Sequence, residues 1–194
     1  MTQISSLLLK RDIDQDDLDA LLRQAKRDDE AAIEELCVYV YAHVYAFLYY
    51  RVPHPEDAED LTSEVVLRVI KALKQQRGNF HAWIYRIARN RLIDFYRHRA
   101  VRYEVSMDDV PSKELSSSDD FSRQIMTRER LRKGLEQLTD DQRNVIILKF
   151  IEGYANQEIA DIVGKSVGAV KVLQFRALRA LREYFNRRDY EAED

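Results

Sequence analysis

Residues 80–99 hold the densest mixture of aromatic and arginine side chains in the sequence. Aromatic rings are platforms on which unpaired bases stack, at roughly 1 to 3 kcal/mol per base, and guanidinium groups bind phosphates. Asn90 and Asp94 lie one helical turn apart, where they could hydrogen-bond the edge of one base. The mixture favours single-stranded nucleic acid, although Trp83 and Phe95 at helical spacing fit a buried core equally well. The aromatic residues are Phe80, Trp83, Tyr85, Phe95 and Tyr96, and the arginines are Arg86, Arg89, Arg91, Arg97 and Arg99.

Residues 138–181 carry a second pattern, which suits duplex DNA. A capping box at Thr139 starts one helix, Asn156 caps the next, Gly164 ends it, and Ser166 caps a third helix. A short helix, a turn with Gly and a longer basic helix are the parts of a helix-turn-helix, whose second helix enters the major groove. A plain helical hairpin with a solvated basic face has the same spacing and stays open here. The third helix places Val170, Leu173, Ala177 and Leu181 inward and Lys171, Val172, Phe175, Arg176 and Arg179 outward.

Four carboxylates, Asp57, Glu59, Asp60 and Glu64, raise the alternative of a metal-dependent nuclease. They spread around a helix instead of converging on one point, and no pair of nucleophile and base is evident. The four histidines and the single Cys37 show no metal-ligand spacing. We therefore expect no enzyme, with no catalytic residue, no metal site and no cofactor.

The apolar periodicity predicts an all-α protein with two small helical domains joined by a flexible linker, the second domain containing the helix-turn-helix. The first domain is expected at residues 14–100 and the second at residues 122–188. Residues 101–121 contain Pro111, three consecutive serines and acidic residues without an apolar period, which is typical of a linker. In the first domain, helices are predicted at 14–25, 28–52, 56–73 and 80–99.

Charges are segregated along the sequence, although the formal net charge is only -3. Residues 12–35 are acidic, residues 68–102 are basic apart from Asp94, and residues 103–121 are acidic again. Residues 165–188 are basic, with Glu183 alone opposed. Two basic blocks separated by an acidic one fit two nucleic-acid surfaces joined by a segment that repels the same polymer.

The sequence also bears on the cellular compartment. Cys37 has no second cysteine with which to form an internal disulfide, so a reduced, cytoplasmic interior is expected. Residues 1–10 are too short and too weakly apolar for a signal peptide. The apolar run at residues 36–50 is shorter than the roughly 18 to 20 residues of a spanning helix, so we predict a buried helix and no membrane insertion.

Taken together, the motifs resemble bacterial RNA polymerase sigma factors of the extracytoplasmic-function (ECF) group of the sigma-70 family, over residues 16–183. Three stretches carry the resemblance: DAEDL at residues 57–61 followed by Glu64, FHAWIYRIARNRLIDFYR at residues 80–97, and residues 138–179. It implies a first domain, region 2, that binds the beta and beta′ subunits of core polymerase and recognises and melts the promoter −10 element. It implies a second domain, region 4, that reads the −35 element as duplex DNA.

The resemblance also assigns residues to each role. Polymerase binding is expected at Asp57, Asp60, Leu61 and Glu64. Contacts to the −10 element are expected at Asn79, Phe80, Trp83, Tyr85, Arg86, Arg89, Asn90, Asp94 and Arg97, with the turn at residues 75–80 cradling a flipped base. Contacts to the −35 element are expected at Lys149, Ser166, Ala169, Lys171, Val172, Phe175, Arg176 and Arg179.

Three matters stay open at the level of sequence. The acidic linker either threads the RNA channel of polymerase or is a solvated tether. An anti-sigma factor is expected as a further partner, because such factors are often silenced by one. An ordinary helix-turn-helix repressor or activator would bind duplex DNA without polymerase, usually as a dimer. The aromatic and arginine-rich fourth helix argues against that class, because a protein that binds only duplex DNA does not need such a helix.

Overall fold

A computed structural model describes residues 13–103 and 119–191, and this part of the chain is helical with no β-strand. The prediction of an all-α protein is confirmed. The helices are α1 (Gln15–Ala25), α2 (Glu30–Tyr49), α3 (Pro55–Ala72), α4 (Phe80–Tyr103), α5 (Asp119–Glu136), α6 (Asp140–Ile146), α7 (Asn156–Val163) and α8 (Val167–Glu191). A 3-10 turn (Leu73–Gln75) follows α3, and a π-helical turn (Ile147–Ile151) follows α6.

Short polar side chains fix where three helices of the first domain, α1, α2 and α4, begin. The Asp14 carboxylate accepts the Asp17 N–H at 2.8 Å ahead of α1, and Asp29 accepts the Ala32 N–H at 2.9 Å ahead of α2. Asn79 accepts the Ala82 N–H at 2.9 Å in the same way at the start of α4. Each cap satisfies a backbone donor that has no partner inside its own helix.

Helix α2 is the centre of the first domain, and α1, α3 and α4 pack around it. By length and composition it could cross a membrane. Its Leu36, Val40, Val44 and Leu48 are fully buried, however, which is the position of a core helix. The prediction of a buried helix at this apolar run therefore agrees with the structure.

Helix α5 is the first described helix of the second domain. It crosses the long helix α8 at Gly134. A Cβ atom at Gly134 would lie 2.6 Å from the Phe185 ring, so any larger residue there would require the ring to move. The capping box of Thr139 and Gln142 starts α6 as predicted. Gly164 ends α7 with φ of 68°, the left-handed conformation that was predicted for it.

Two local predictions need correction. Helix α7 is capped at Ala155, whose N–H donates to the Glu158 carboxylate at 2.7 Å, and Asn156 is its first residue instead of its cap. The single helix predicted to start at Thr139 is α6 followed by the π-helical turn, in which the Glu152 N–H bonds the Ile147 carbonyl five residues back at 3.0 Å. A π-helical turn is wider than an α-helical one, so the side chains that follow it point in other directions than they would after a regular α-helix.

Both helices that flank the predicted linker extend into it. Helix α4 continues to Tyr103, and α5 begins at Asp119, whereas the linker was predicted at residues 101–121. Residues 104–118 lie outside the described part of the chain. The two predicted courses of the linker, through the RNA channel of polymerase or as a solvated tether, fall on these residues.

The two domains are in contact. Helix α4 packs against α7, and the π-helical turn packs against α2. One side of α4, the helix predicted to melt DNA, therefore packs against the first helix of the helix-turn-helix.

Candidate nucleic-acid interface

Helix α8 presents the basic face that the sequence predicted for duplex DNA. Val170, Ala177 and Leu181 are buried on its inner side. Phe175 is 69% exposed, so its ring is available to another molecule. The exposed outer residues are Lys171, Val172, Phe175, Arg176 and Arg179, and Ala169 beside them is half-buried. The result is one face with cationic and apolar groups, as in a recognition helix.

Two contacts set the start of α8, and a third lies in the segment before α7. The Ser166 hydroxyl accepts the Ala169 N–H at 3.2 Å, so Ser166 caps the helix as predicted. The Lys165 ammonium lies 2.9 Å from the Asp141 carboxylate. Lys149, the predicted phosphate contact, donates to the Tyr154 carbonyl at 3.3 Å. Both Ser166 and Lys149 therefore already have partners inside the domain, which fix their positions.

Helix α4 exposes only part of the surface predicted for the −10 element. The accessible residues, fully or in part, are Trp83, Arg86, Arg89, Asn90, Asp94 and Arg97. Phe80 and Tyr85 are 4% and 2% exposed, which contradicts a direct DNA contact by either ring in this arrangement. Phe80 belongs to the core of the first domain. Tyr85 is covered by the second domain, as described below.

Ion pairs between α3 and α4 offset part of the positive charge of α4. Arg91 bonds both Glu64 on α3 and Asp94 on its own helix, and Arg99 lies 3.6 Å from Asp57. Two of the predicted polymerase-binding carboxylates, Asp57 and Glu64, therefore have partners within the chain.

Asp60 and Leu61 are the other two predicted polymerase contacts, and they differ from each other in exposure. Asp60 is exposed on α3 and belongs to no ion pair recorded in the described structure. Leu61 is 4% exposed in the core, so its side chain is not accessible to polymerase in this structure. Its side chain instead holds α3 against the domain.

A cavity of about 390 Å³ lies between α1 and the turn before α4. Its size is within the range of sites for small molecules, about 300–1,000 Å³. The turn that lines it was predicted to cradle a base, and Gly78 in this turn has φ of 72°. The lining residues are Gln15, Asp19, Leu22, Arg23, Lys26, Gln76, Arg77, Gly78, Asn79, Phe80 and His81.

Lys26 connects the two walls of this cavity. Its ammonium donates to the Gln76 carbonyl at 3.1 Å and to the Gln76 side-chain oxygen at 2.7 Å. The Gln76 amide in turn donates to the Gly78 carbonyl at 2.7 Å. Sequence reasoning missed the contribution of α1, because Lys26 and Gln76 are far apart in the sequence and no local pattern joins them.

A buried polar cluster joins the two domains at Glu152. The side chain of Glu152 is fully buried, and its Oε2 lies 3.3 Å from the His43 Nδ1. The Tyr85 hydroxyl donates to the same oxygen at 3.1 Å. The Tyr154 ring lies edge-on to the Tyr85 ring, with centroids 5.8 Å apart, and 5.2 Å from the His81 ring. Burial and the neighbouring Glu152 raise the pKa of the Tyr85 hydroxyl, which therefore stays protonated as a donor.

Arg51 makes a second connection between the domains. It is 7% exposed, bonds Asn144, and lies 3.1 Å from the Asp140 carboxylate. Burial lowers the pKa of the Arg51 guanidinium to about 10. Arg132 of α5 adds a hydrogen bond to the Pro53 carbonyl. None of these interdomain residues was predicted, because each contact joins positions that are distant in the sequence.

Comparisons with known proteins match two regions of the chain. The family model Sigma-70 region 2 matches residues 38–102, and the model Sigma-70, region 4 matches residues 128–181. These ranges contain α4 and the helix-turn-helix, respectively.

Two curated relatives illustrate the similarity in sequence. ECF RNA polymerase sigma factor SigX of Bacillus subtilis is 34% identical over 150 residues, which are 73% of this chain and 77% of SigX. ECF RNA polymerase sigma factor BldN of Streptomyces coelicolor is 34% identical over 143 residues, which are 71% of this chain. The match spans 54% of BldN, about half of its length.

Solved structures show the same fold. CnrH, in complex with the cytosolic domain of CnrY, aligns with a TM-score of 0.62 at 25% identity, covering 86% of this chain and 96% of CnrH. The sigma factor RpoE of Bartonella quintana aligns with a TM-score of 0.61 at 24% identity, covering 79% and 96%, and supports the fold alone. Because both family models match and the chain is 34% identical to SigX over 77% of that protein, the chain belongs to the ECF RNA polymerase sigma factors.

Proposed function

We propose that this transcription initiation factor directs core RNA polymerase to its promoters by reading two DNA elements with two separate surfaces. The observation that carries the proposal is the exposed basic and aromatic face of α8, in a chain whose α4 also exposes arginines. One surface suits the major groove of a duplex, and the other suits unpaired bases.

The −35 element is read by the N-terminal half of α8. Arg176 and Lys171 can donate to base edges and phosphates, and the exposed Phe175 ring can contact the methyl group of a thymine. The Ser166 cap and the Gly164 turn fix the angle at which the helix leaves α7.

The −10 element is bound as a single strand along α4. Asn90 and Arg86 are exposed and can hydrogen-bond bases and phosphates, and the cavity beside Asn79 is large enough for one flipped base. Strand separation then draws its free energy from stacking and from base contacts, so hydrolysis by this chain is not required. We accordingly assign the chain no catalytic residue and no cofactor.

Core polymerase is bound through α3, with the exposed Asp60 facing basic residues of the beta and beta′ subunits. Asp57 and Glu64 contribute by exchanging their internal partners, Arg99 and Arg91, for those of polymerase. Because transcription takes place where polymerase is, we assign the protein to the cytoplasm.

A protein that silences the factor is a further partner in this proposal. Its support is the solved complex of CnrH with the cytosolic domain of CnrY, since CnrH shares the fold over 86% of this chain. Such an anti-sigma factor would cover α3 and so compete with polymerase. The acidic residues between the domains serve as a tether that repels DNA.

The test is run-off transcription with purified core polymerase and a pool of genomic DNA fragments. We expect promoter-specific transcripts only when this protein and core polymerase are both present. Arg176→Ala should lower them about tenfold through a lost base contact, worth about 1–3 kcal/mol. Arg182→Ala removes the same charge further along α8 and should stay within about twofold. The proposal fails if no specific transcript appears while the protein alone protects duplex sites, which is the behaviour of a repressor.

A further inference from the structure

We propose that Arg91 is a further DNA-binding residue of α4, and that Glu64 neutralises it until core polymerase takes Glu64 as its own partner. Binding of polymerase on α3 is then coupled to binding of the −10 strand on α4 through one side chain. The inference rests on the proposed function for the roles of Glu64 and Asp94. The contacts among the three side chains are observed directly.

Arg91 connects two carboxylates to which different partners are assigned. Its guanidinium bonds Glu64 on α3, and its Nη1 donates to the Asp94 Oδ2 on α4 at 3.2 Å. Glu64 is a proposed contact of polymerase, and Asp94 is a proposed contact of the −10 strand. A change at one carboxylate therefore reaches the other through a single guanidinium.

The exposure of these side chains allows Glu64 to change partners. The side chains of Glu64 and Asp94 are 48% and 41% exposed, whereas that of Arg91 is 19% exposed. Ion pairs with an exposed member contribute little to stability, so Glu64 can leave Arg91 for a basic residue of polymerase at small cost. The more enclosed guanidinium stays beside α4.

The departure of Glu64 changes the charge that a DNA strand meets. In the free chain the group consists of one cation, Arg91, and two anions, Glu64 and Asp94, so it repels a phosphate. Arginine cannot lose its charge in a protein. Without Glu64 the positive charge of Arg91 balances Asp94, and the Nη2 donors that bonded Glu64 are available to a phosphate oxygen.

The position of Arg91 on α4 suits this role. At about 100° per residue, Asp94 lies between Asn90 and Arg91 around the helix, so Arg91 borders the side that carries the proposed base contacts. Its Nε–H is buried without a hydrogen-bond partner within the described residues. The guanidinium therefore has hydrogen-bonding capacity that the free chain does not use.

The first test measures binding of a labelled, random-sequence single strand of 20 nucleotides to the free protein. Glu64→Gln keeps the length of the side chain and removes its charge, which imitates its loss to polymerase. It should bind the strand about fivefold more tightly than the unaltered protein, at the lower end of typical couplings between sites. Glu59→Gln removes the same charge from an exposed position of α3 and is the matched control, with an expected change below about twofold.

The salt dependence of this binding separates a new phosphate contact from a general change of charge. Each phosphate contact to a single strand adds about −0.7 to the slope of log affinity against log salt concentration. The slope should therefore become steeper by about 0.7 in Glu64→Gln and stay unchanged in Glu59→Gln. In an Arg91→Met background, Glu64→Gln should behave like the control. A gain in affinity that persists without Arg91, or equal affinities of the two single variants, would overturn the inference.

The second test uses core polymerase and separates coupling from a purely structural ion pair. Arg91→Met leaves Glu64 without its internal partner, so this variant should bind core polymerase at least as tightly as the unaltered protein. Permanganate reactivity of unpaired thymines in the −10 element should nevertheless fall about fivefold, because a phosphate contact is lost. If Arg91 only holds α3 against α4, core binding and melting should weaken together, and that result contradicts coupling. Circular dichroism must show that each variant keeps its helix content.

The polymerase-free test can fail or succeed independently of run-off transcription. Tighter strand binding by Glu64→Gln without any promoter-specific transcript counts against the proposed function and not against the masking of Arg91. Specific transcripts together with equal strand binding by Glu64→Gln and Glu59→Gln count against the masking of Arg91 alone.

Discussion

Gln174 of α8 donates a hydrogen bond to Asn156 of α7 over 2.8 Å, and this bond joins the two helices of the helix-turn-helix. Both side chains are partly buried where the helices meet. In a helix-turn-helix, the residues near the start of the recognition helix contact the base edges. The angle between α7 and α8 therefore decides which base edges the side chains of α8 reach. Gln174 thus acts on recognition from the inner side of the helix.

Replacing Gln174 by Ala should therefore reduce both stability and promoter use. One partly buried hydrogen bond contributes about 0.5–1.5 kcal/mol, so the urea midpoint should fall by a corresponding amount. Transcription from a −35-dependent promoter should fall severalfold. Gln157→Ala removes an exposed bond to Asp161, 3.3 Å long, and is the matched control, with no expected change in either measurement. A Gln174→Ala variant with unaltered promoter use would show that the bond does not set the helix angle.

Acid should destabilise the protein through His81. Its pKa is lowered from 6.5 to about 4, because burial and the neighbouring His43 disfavour the charged ring, whose Nε2 lies 2.7 Å from the Tyr39 hydroxyl. Between these pH values the unfolded chain binds a proton that the folded chain does not. The stability that the neutral His81 ring contributes to the folded state is thus fully present above pH 6.5 and is lost as pH falls towards 4. At pH 5 the free energy of unfolding should be lower by at most about 2 kcal/mol for this reason.

The measurement is urea unfolding at pH 7 and pH 5. His81→Gln keeps a hydrogen-bond partner for Tyr39 but does not titrate, so it should lose less free energy of unfolding between the two pH values than the unaltered protein. His54→Gln changes an exposed histidine and is the control. Parallel pH dependence in the His81→Gln variant and the unaltered chain would contradict this explanation.

The cavity beside α1 gives a prediction for promoter melting. Lys26→Met removes both hydrogen bonds that hold Gln76 at the turn before α4, so the turn should lose its fixed shape. We expect permanganate reactivity of unpaired thymines in the −10 element to fall about tenfold, with binding to core polymerase unchanged. Arg27→Met alters the neighbouring exposed cation and should leave melting intact. Normal melting by Lys26→Met would remove the cavity from the proposed −10 surface.

Local patterns in the sequence predicted α8 well because the determinants of this helix are local. Ser166 supplies its cap, Gly164 supplies the left-handed residue before it, and the spacing of Val170 and Ala177 decides which face is buried. The π-helical turn was not predictable in this way. Residues 145–148 are all buried, so their apolar run has no amphipathic period that could reveal where the regular helix ends.

The interface between the domains was beyond sequence reasoning for a different reason. Arg51 and Asp140 are separated by 89 residues, and Tyr85 and Glu152 by 67. Neither pair follows a motif, and Tyr85 lies in a stretch whose composition favours nucleic acid. Composition predicted a nucleic-acid surface on α4, whereas only the tertiary structure shows that the second domain covers part of this helix.

Two glycines of the second domain should respond in opposite ways to the same substitution. Alanine is favoured over glycine inside a helix by about 0.5–1 kcal/mol. At Gly168, near the start of α8, a Cβ would meet only the Ser166 hydroxyl at 3.9 Å, so Gly168→Ala should raise the free energy of unfolding by about that amount.

At Gly134 the same Cβ would lie 2.6 Å from the Phe185 ring and 3.3 Å from a methyl carbon of Leu181. The ring must move out of its packed position between α5 and α8, and such overpacking costs about 1–3 kcal/mol. Gly134→Ala should therefore be less stable than Gly168→Ala by at least about 1 kcal/mol in urea unfolding. A double variant Gly134→Ala with Phe185→Leu, which shortens the opposing side chain, should recover part of the difference. Equal stability of the two single variants would mean that α5 and α8 do not cross as closely as Gly134 allows.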